Sequence, residues 1–123
     1  MLFILDTEKQ IEITETSDVL IVNLKRFRYS KSQATEKIVT LVNIPITDFV
    51  PYPTAAKYDL FCVVNHLGEK ASSANSGHYT AYVKSLDKDR WYDTNDRSVK
   101  EISKTNIITK DAYVLFYKRH RDK

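Results

Sequence analysis

The chain has 123 residues, the length of one domain, and its 42% hydrophobic content with eight Tyr and five Phe is enough for a buried core. Two glycines and three prolines exclude a collagen-like or low-complexity chain, and one cysteine excludes an internal disulfide framework and a multi-cysteine zinc cluster. The formal net charge of +3 is mild, and much of it comes from residues 118–123, which we predict to be a solvated basic tail.

The first half of the chain contains three predicted strands. An alternating pattern at Gln10–Ile13 predicts a weak strand, and the apolar run Val19–Leu24 predicts a strand that is central in a sheet. A polar turn at residues 30–36 precedes a third predicted strand at Lys37–Val42. The three prolines then predict that residues 44–56 are irregular, because each removes a ladder donor and restricts the residue before it.

The second half continues strand after strand. We predict a buried strand at Tyr58–Asn65, a mobile polar loop at His66–Ser76, one helical turn within Ser103–Ile107 and a last central strand at Ala112–Tyr117. The abundance of Val, Ile, Tyr and Thr favours the same interpretation. The predicted fold class is mainly β, a mostly antiparallel sheet with little helix.

Two further predicted strands carry the residues that point to a chemistry. Gly77–Val83 alternates in the manner of a strand, and a short aromatic strand beginning at Trp91 runs into a polar corner. The break between them has the length of a hairpin loop, so we expect the strands to be antiparallel and His78 to lie near Asn95 or Asp96. An imidazole beside an amide or carboxylate supplies a base and the group that fixes its tautomer, which are two members of a thiol-protease triad.

The third member of such a triad, a nucleophilic thiol, is not evident. Cys62 lies within the almost wholly apolar run Tyr58–His66, a setting that is typical of a small buried hydrophobic residue. A nucleophilic thiol prefers a helix N-terminus or a cationic, partly open setting. The sequence therefore predicts a base and its orienting group without a nucleophile.

Seven short stretches occur together in one order, although each is a weak signal alone. They are Leu20–Phe27, Val42–Pro45, Tyr58–Phe61, Val64–Gly68, Ser76–Tyr82, Trp91 with Asn95–Val99, and Ala112–Tyr117. This ordered set, from about Val19 to Tyr117, resembles the C-terminal half of the catalytic domain of ubiquitin-specific proteases, a papain-like family of deubiquitinating cysteine peptidases. The resemblance implies an α+β papain-like fold of which this chain supplies the sheet-rich half.

The resemblance also implies roles for individual residues. His78 would be the general base, Asn95 the residue that orients it, and Asp96 an acidic neighbour able to help or substitute. A neutral amide fixes the imidazole tautomer by accepting its proton but adds no charge to stabilise the imidazolium.

The resemblance implies ubiquitin or a ubiquitinated protein as the partner. From the sequence itself we expect no cofactor, no metal and no nucleic-acid partner. The implied substrate-binding residues are Gly77, Tyr79, His66 and Gly68. The loop at 66–76 corresponds to one that gates the groove for the Gly-Gly tail of ubiquitin, and Gly77 lets the backbone pass close to that narrow tail.

Two departures from the family pattern matter. Ser76 stands where the family usually has a glycine, and the family's cysteine box and paired-cysteine zinc site have no counterpart in the sequence. Cys62 matches a strand position of the family. We therefore expect residues 1–123 to be a partial catalytic domain, whether a fragment, a truncated product or half of a split enzyme. The nucleophile would come from a missing N-terminal half, and the isolated chain would be inactive.

Structural explanations compete with these roles. A lone His on a strand is most often structural, and we expect that of His66, while Trp91 is typical of a core anchor. Lys25–Tyr29 interleaves basic and aromatic residues as nucleic-acid binders do, but basic residues that alternate toward solvent explain it better. Three polar residues near the hairpin lack the ligand spacing of a metal site: Asp93, Asn95 and Asp96.

Three functions remain open on the sequence alone. The preferred one is the base-bearing half of a deubiquitinating thiol protease, and the alternative is a non-catalytic ubiquitin- or protein-binding module. A small basic nucleic-acid-binding domain is the least favoured. Because a papain-like fold packs its active site between two lobes, and this chain would supply mainly the sheet lobe, we expect an apolar partner-facing surface. With it we expect poor solubility or oligomerisation of the isolated chain.

The sequence also bears on the compartment. A single cysteine is typical of a reducing environment, so we expect the protein in the cytoplasm, the nucleus or both. The apolar run at residues 1–5 stops at Asp6, well short of a signal-peptide core, and no other apolar run has the length of a membrane span. The sequence therefore predicts a soluble protein without a membrane partner.

Overall fold

The computed structural model describes residues 7–29, 35–69 and 73–121. These residues form eight strands and one short 3₁₀ turn. The strands are β1 (Val19–Asn23), β2 (Phe27–Tyr29), β3 (Thr35–Lys37), β4 (Tyr58–Leu67), β5 (His78–Lys84), β6 (Trp91–Asn95), β7 (Ser98–Ile102) and β8 (Ala112–Arg119), with the turn at Lys104–Asn106. Over these ranges, no helix has the length and apolar character needed to cross a membrane.

Six strands form one antiparallel sheet in the order β1-β8-β4-β5-β6-β7, and β2 pairs with β3 in a separate antiparallel hairpin. The ten-residue strand β4 lies in the middle, between β8 and β5. The prediction of a mostly antiparallel sheet with little helix is confirmed, as are the predicted helical turn and the central position of β8.

The strand predicted at Val19–Leu24 is present as β1, but its predicted central position is wrong. Among the strands that the structure describes, β1 is at one edge of the sheet. Val19 and Ile21 are 44% and 59% exposed, while Leu20 and Val22 pack against the core. The apolar run therefore has one covered face, not two.

Two more predictions differ from the structure: one predicted strand is absent, and one predicted loop begins later than expected. Gln10–Ile13 forms no strand, and its residues are exposed. Strand β4 continues to Leu67, so the loop predicted at His66–Ser76 begins two residues later. Residues 70–72 of this loop, and residues 30–34 of the predicted polar turn, lie outside the described residues.

The strand predicted at Lys37–Val42 is wrong for most of its length, since β3 ends at its first residue. The Arg26 guanidinium donates hydrogen bonds to the carbonyl oxygens of Ile38 (3.2 Å) and Thr40 (2.5 Å), and its Nε donates to the carbonyl of Ala112 (2.8 Å). Backbone acceptors beyond β3 are thus satisfied by a side chain instead of a neighbouring strand.

Two cations are buried where the β2–β3 hairpin meets the main sheet. Arg26 is 2% exposed, so the prediction that the basic residues of Lys25–Tyr29 face solvent is wrong for this one. The Lys37 ammonium is wholly buried and donates to the carbonyl of His66 and to Asp111 Oδ1, 2.9 Å away. A buried ion is retained only where such partners replace water, so both side chains fasten the hairpin to the sheet.

The hydrophobic core packs against the sheet beneath the irregular segment 44–56. Its buried members are Ile44, Tyr58, Leu60, Val63, Trp91, Ile107, Ala112, Leu115 and Tyr117. The hydroxyls of two of these tyrosines donate to backbone carbonyls, Tyr58 to Ser17 and Tyr117 to Pro45 (2.7 Å). The buried phenols are thereby satisfied, and they tie the covering segments to the sheet.

The end of the described chain is more ordered than a solvated tail. Strand β8 includes Lys118 and Arg119, and the main-chain nitrogen of His120 donates to the carbonyl of Lys57 at 2.8 Å. Residues 122–123 of the predicted tail lie outside the described residues.

Candidate active site

The β5–β6 hairpin brings His78 and Asn95 together. His78 is the first residue of β5 and Asn95 the last of β6, and the two strands pair from Ala81 with Thr94 to Lys84 with Trp91. Both residues are therefore at the open end of the hairpin. His78 Nε2 lies 2.7 Å from Asn95 Oδ1, so the predicted proximity is confirmed.

This hydrogen bond determines which imidazole nitrogen can act as a base. An amide oxygen only accepts, so His78 Nε2 must carry the proton, and Nδ1 of the neutral ring keeps the free lone pair. The His78 side chain is 45% exposed, so a reacting group can approach it. The arrangement is chemically competent to accept a proton at Nδ1 while Asn95 holds the ring.

Asp96 is the second acceptor near the imidazole, in the turn between β6 and β7. Its Oδ2 lies 3.9 Å from His78 Nε2, and its side chain is 79% exposed. The backbone of Asp96 has a φ of 51°, a left-handed conformation that Asp tolerates better than most residues. At this distance and exposure its charge acts on the ring weakly compared with the direct Asn95 hydrogen bond.

Cys62 is far from this pair. Position 62 of β4 is paired with Val83, whereas Leu67 is paired with His78, so five residues of about 3.3 Å each separate them by roughly 17 Å along the strand. Burial raises the pKa of the Cys62 thiol. Both the distance and the pKa are unfavourable for a nucleophile serving His78.

The four residues assigned to substrate binding by resemblance lie at the same end of the sheet but differ in access. Gly68 and Gly77 are exposed, and Tyr79 is 43% exposed, with its hydroxyl donating to the carbonyl of Ala74. His66 is wholly buried, and its ring lies beneath the Gly77 backbone. A substrate at this surface would meet the glycines and Tyr79, and His66 would act on it only through them.

Trp91 is 1% exposed on β6, which confirms its predicted place in the core.

A cluster that the sequence did not reveal is at the other end of β4. His120 Nε2 lies 2.7 Å from Asp59 Oδ1 and 3.7 Å from Asp48 Oδ1, and these ligand-type atoms all lie within 4.8 Å of one another. The three residues come from three separate segments of the chain, so no sequence motif with a regular spacing could predict that they meet.

The electrostatics of this cluster are those of an ion pair. Burial by itself would raise the pKa of the Asp59 carboxyl. Hydrogen bonds from the His120 side chain and the Asp48 main chain outweigh burial and hold that pKa below its usual 3.8. The pair links the start of β4 to the end of β8 and is remote from His78.

The sequence profile of one family, described as ubiquitin carboxyl-terminal hydrolase, matches residues 5–117. The chain belongs to the ubiquitin carboxyl-terminal hydrolase family. The resemblance drawn from the seven stretches is therefore confirmed.

Three curated family members illustrate the relationship. Ubiquitin carboxyl-terminal hydrolase 12 of Saccharomyces cerevisiae is 42% identical over 93% of this chain, hydrolase 5 of Arabidopsis thaliana is 37% identical over 93%, and human hydrolase 15 is 41% identical over 90%. The matched segments make up 9%, 13% and 12% of those proteins. The chain thus spans about a tenth of the length of these ubiquitin carboxyl-terminal hydrolases.

Solved structures agree with the family assignment. A chain of the Ubp8-Sgf11-Sgf73-Sus1 SAGA DUB module superposes with a TM-score of 0.76 at 28% identity, covering 89% of this chain and 26% of that one. A chain of the SAGA DUB module bound to monoubiquitin superposes with a TM-score of 0.70 at 28% identity, covering 86% of this chain and 24% of that one. The sheet described above is therefore also present in these chains of SAGA DUB modules.

Proposed function

We propose that this chain supplies the general base and its orienting amide for thiol-dependent hydrolysis after the C-terminal glycine of ubiquitin. The observation that carries the proposal is the 2.7 Å hydrogen bond from His78 Nε2 to Asn95 Oδ1. It leaves Nδ1 as the basic nitrogen, at an exposed edge, in a chain of the ubiquitin carboxyl-terminal hydrolase family.

In this proposal a thiol from outside the 123 residues gives its proton to His78 Nδ1 and attacks the carbonyl carbon of the terminal glycine. His78 then returns the proton to the leaving amine as the thioester forms, and next takes a proton from the water that hydrolyses the thioester and returns it to the thiol. Asn95 keeps the ring in one tautomer throughout. Gly68, Gly77 and Tyr79 would border the groove for the glycine tail, with Asp96 as a weak auxiliary acceptor. The isolated chain is inactive, because Cys62 is in the wrong place with the wrong pKa.

A chimera tests the proposal directly. Residues 1–123 replace the matching segment of yeast ubiquitin carboxyl-terminal hydrolase 12, and hydrolysis of a ubiquitin–fluorophore conjugate is measured. We expect activity in the chimera, and we expect His78→Ala to lower kcat/KM by about 10²–10⁴-fold, the usual contribution of a general base.

The matched control is His120→Ala, which removes the histidine at the other end of the sheet and should leave kcat/KM unchanged. An active chimera that is indifferent to His78→Ala would refute the proposal. Hydrolysis by purified residues 1–123 alone, lost in Cys62→Ala, would refute the assignment of the nucleophile to another segment.

One observation favours a second candidate, a non-catalytic ubiquitin- or protein-binding module. The chain's one cysteine is roughly 17 Å along the strand from the level of His78. The chain therefore does not bring a thiol and the His78 imidazole together as a nucleophile and its base. Titration of labelled ubiquitin with the chain separates the two. Tight binding that is unaffected by His78→Ala, together with an inactive chimera, would establish the binding module.

A further inference from the structure

We propose that His66 is a positioning residue for His78, acting through the Ser76–Gly77 peptide. This inference rests on the proposed function for the importance of His78, but not for its test. The His78 ring is half-exposed, and among the described residues its side-chain partners are Asn95 and Asp96. Its orientation therefore depends on how firmly the backbone is held where β5 begins.

The His66 ring is fixed by three aromatic neighbours from three different strands. Its centroid lies 5.0 Å from the rings of Phe27 and Tyr79 and 6.4 Å from that of Tyr113. All three meet it steeply, with interplanar angles of 89°, 71° and 72°, the edge-to-face geometry that aromatic pairs prefer. These three rings enclose the wholly buried imidazole.

The backbone of His66 is held as tightly as its ring. Its nitrogen donates to the carbonyl of Asp111 at 2.9 Å, and its carbonyl accepts from the buried Lys37 ammonium. Lys37 in turn donates to Asp111 Oδ1. His66 is thus a fixed point at the end of β4 to which a neighbouring loop can be attached.

That attachment is the hydrogen bond between His66 Nε2 and the carbonyl oxygen of Ser76, 2.5 Å apart. A carbonyl only accepts, so Nε2 carries the proton and Nδ1 has the lone pair. Nδ1 is buried and finds no hydrogen-bond partner among the described residues. A phenylalanine would fill the same space without burying an unpaired nitrogen, so the donor at Nε2 explains why a histidine is there.

Gly77, the residue after Ser76, connects the hydrogen bond at Ser76 to the start of β5. Gly77 has a φ of 93°, and a Cβ there would lie 2.4 Å from the Leu67 carbonyl oxygen and 3.0 Å from His66 Nε2. The glycine backbone therefore lies directly on the imidazole. His78 follows at once and pairs with Leu67, so the position of the His66 ring determines where β5, and with it the base, begins.

Nuclear magnetic resonance of the full chain with ¹⁵N-labelled histidine tests this inference, because ring nitrogen shifts report the tautomer of each histidine. The chain has three histidines, so His120→Gln completes the assignment, and the indole signal of its one tryptophan reports whether each variant is folded. We expect His66 in the wild type to be the Nε2–H tautomer with a slowly exchanging proton. Finding the Nδ1–H tautomer overturns the proposal.

Two substitutions separate hydrogen bonding from packing. His66→Gln keeps an N–H donor for Ser76 and should retain the ring ¹⁵N signal of the His78 Nε2–H tautomer, whereas His66→Phe keeps a ring and should lose that signal. The proposal is overturned if Phe preserves that signal, or if a folded Gln variant loses it. Should the Phe variant not fold, the Gln variant and the wild-type tautomer still decide. None of these measurements uses ubiquitin or a nucleophile, so an inactive chimera would refute the proposed function and leave this result standing.

Discussion

The reactivity of the Cys62 thiol can be tested directly. Its position on β4 is flanked by Val83 and Phe116 of the adjoining strands, and burial raises the pKa of its thiol. Since the thiolate is the reactive form, we expect iodoacetamide to modify Cys62 in the folded chain about tenfold more slowly than in the urea-unfolded chain. Mass spectrometry over a time course measures both rates. Equal rates would show an accessible thiol and would reopen Cys62 as a nucleophile.

The meeting of His78 with Asn95 was predictable from the sequence, because both residues belong to one hairpin and a short loop sets the register. The burial of His66 was not. Its environment comes from Phe27, Tyr79 and Tyr113, which are separated from it along the chain, and no periodicity in the run before it specifies those contacts. Local pattern determines neighbours within a hairpin, whereas long-range packing determines which polar side chains are enclosed.

At the scale of elements, Arg26 connects the β2–β3 hairpin to β8. Removing the guanidinium in Arg26→Ala leaves three carbonyls without this donor: that of Ala112, in a buried hydrogen bond, and those of Ile38 and Thr40, in partly buried ones. We expect a loss of about 3 kcal/mol in the free energy of unfolding, measured by urea denaturation. The exposed neighbour Arg28 provides the control.

Arg28→Ala should change the free energy of unfolding by no more than about 0.5 kcal/mol, as is usual for surface positions. Equal effects of the two substitutions would mean that Arg26 does not have the structural role assigned to it.

The Asp59–His120 pair predicts an acid-dependent link between β4 and β8. The folded-state pKa of Asp59 is below 3.8, so its stabilising contribution is complete above that pH and is lost as the pH falls through the folded value. We therefore expect Asp59→Asn to lower the free energy of unfolding more at about pH 5 than at about pH 3. Urea denaturation at the two pH values measures the difference.

The comparison for Asp59→Asn is Asp18→Asn, at an exposed residue, measured at the same two pH values. A stability loss for Asp59→Asn that is the same at both pH values would show that the carboxylate contributes nothing as an ion.

The errors in element prediction have physical causes. Val19–Leu24 is apolar on both faces, which suggested a central strand, yet the described residues cover only one face. Lys37–Val42 has strand-like composition, but the Arg26 side chain takes the acceptors that a partner strand would use. In both segments the local composition is that of a strand. Contacts with residues distant along the chain decide how far the strand extends and where in the sheet it lies.

For the whole molecule, the exposed apolar edge strand β1 predicts self-association. Ile21 is 59% exposed on a strand with one free edge in the described structure. We expect light scattering to detect oligomers of the isolated chain, and Ile21→Lys to reduce them, since a charge on an edge strand opposes pairing. Leu41→Lys, at an exposed apolar position outside the strands, is the control and should leave the oligomers unchanged. A monodisperse wild-type monomer would contradict the prediction.

The hairpin that holds His78 and Asn95 has a consequence for how this pair of residues could be transferred between genes. Both residues, and the loop between their strands, come from fewer than twenty consecutive positions. A single recombination event could therefore move the imidazole together with the amide that accepts its hydrogen bond.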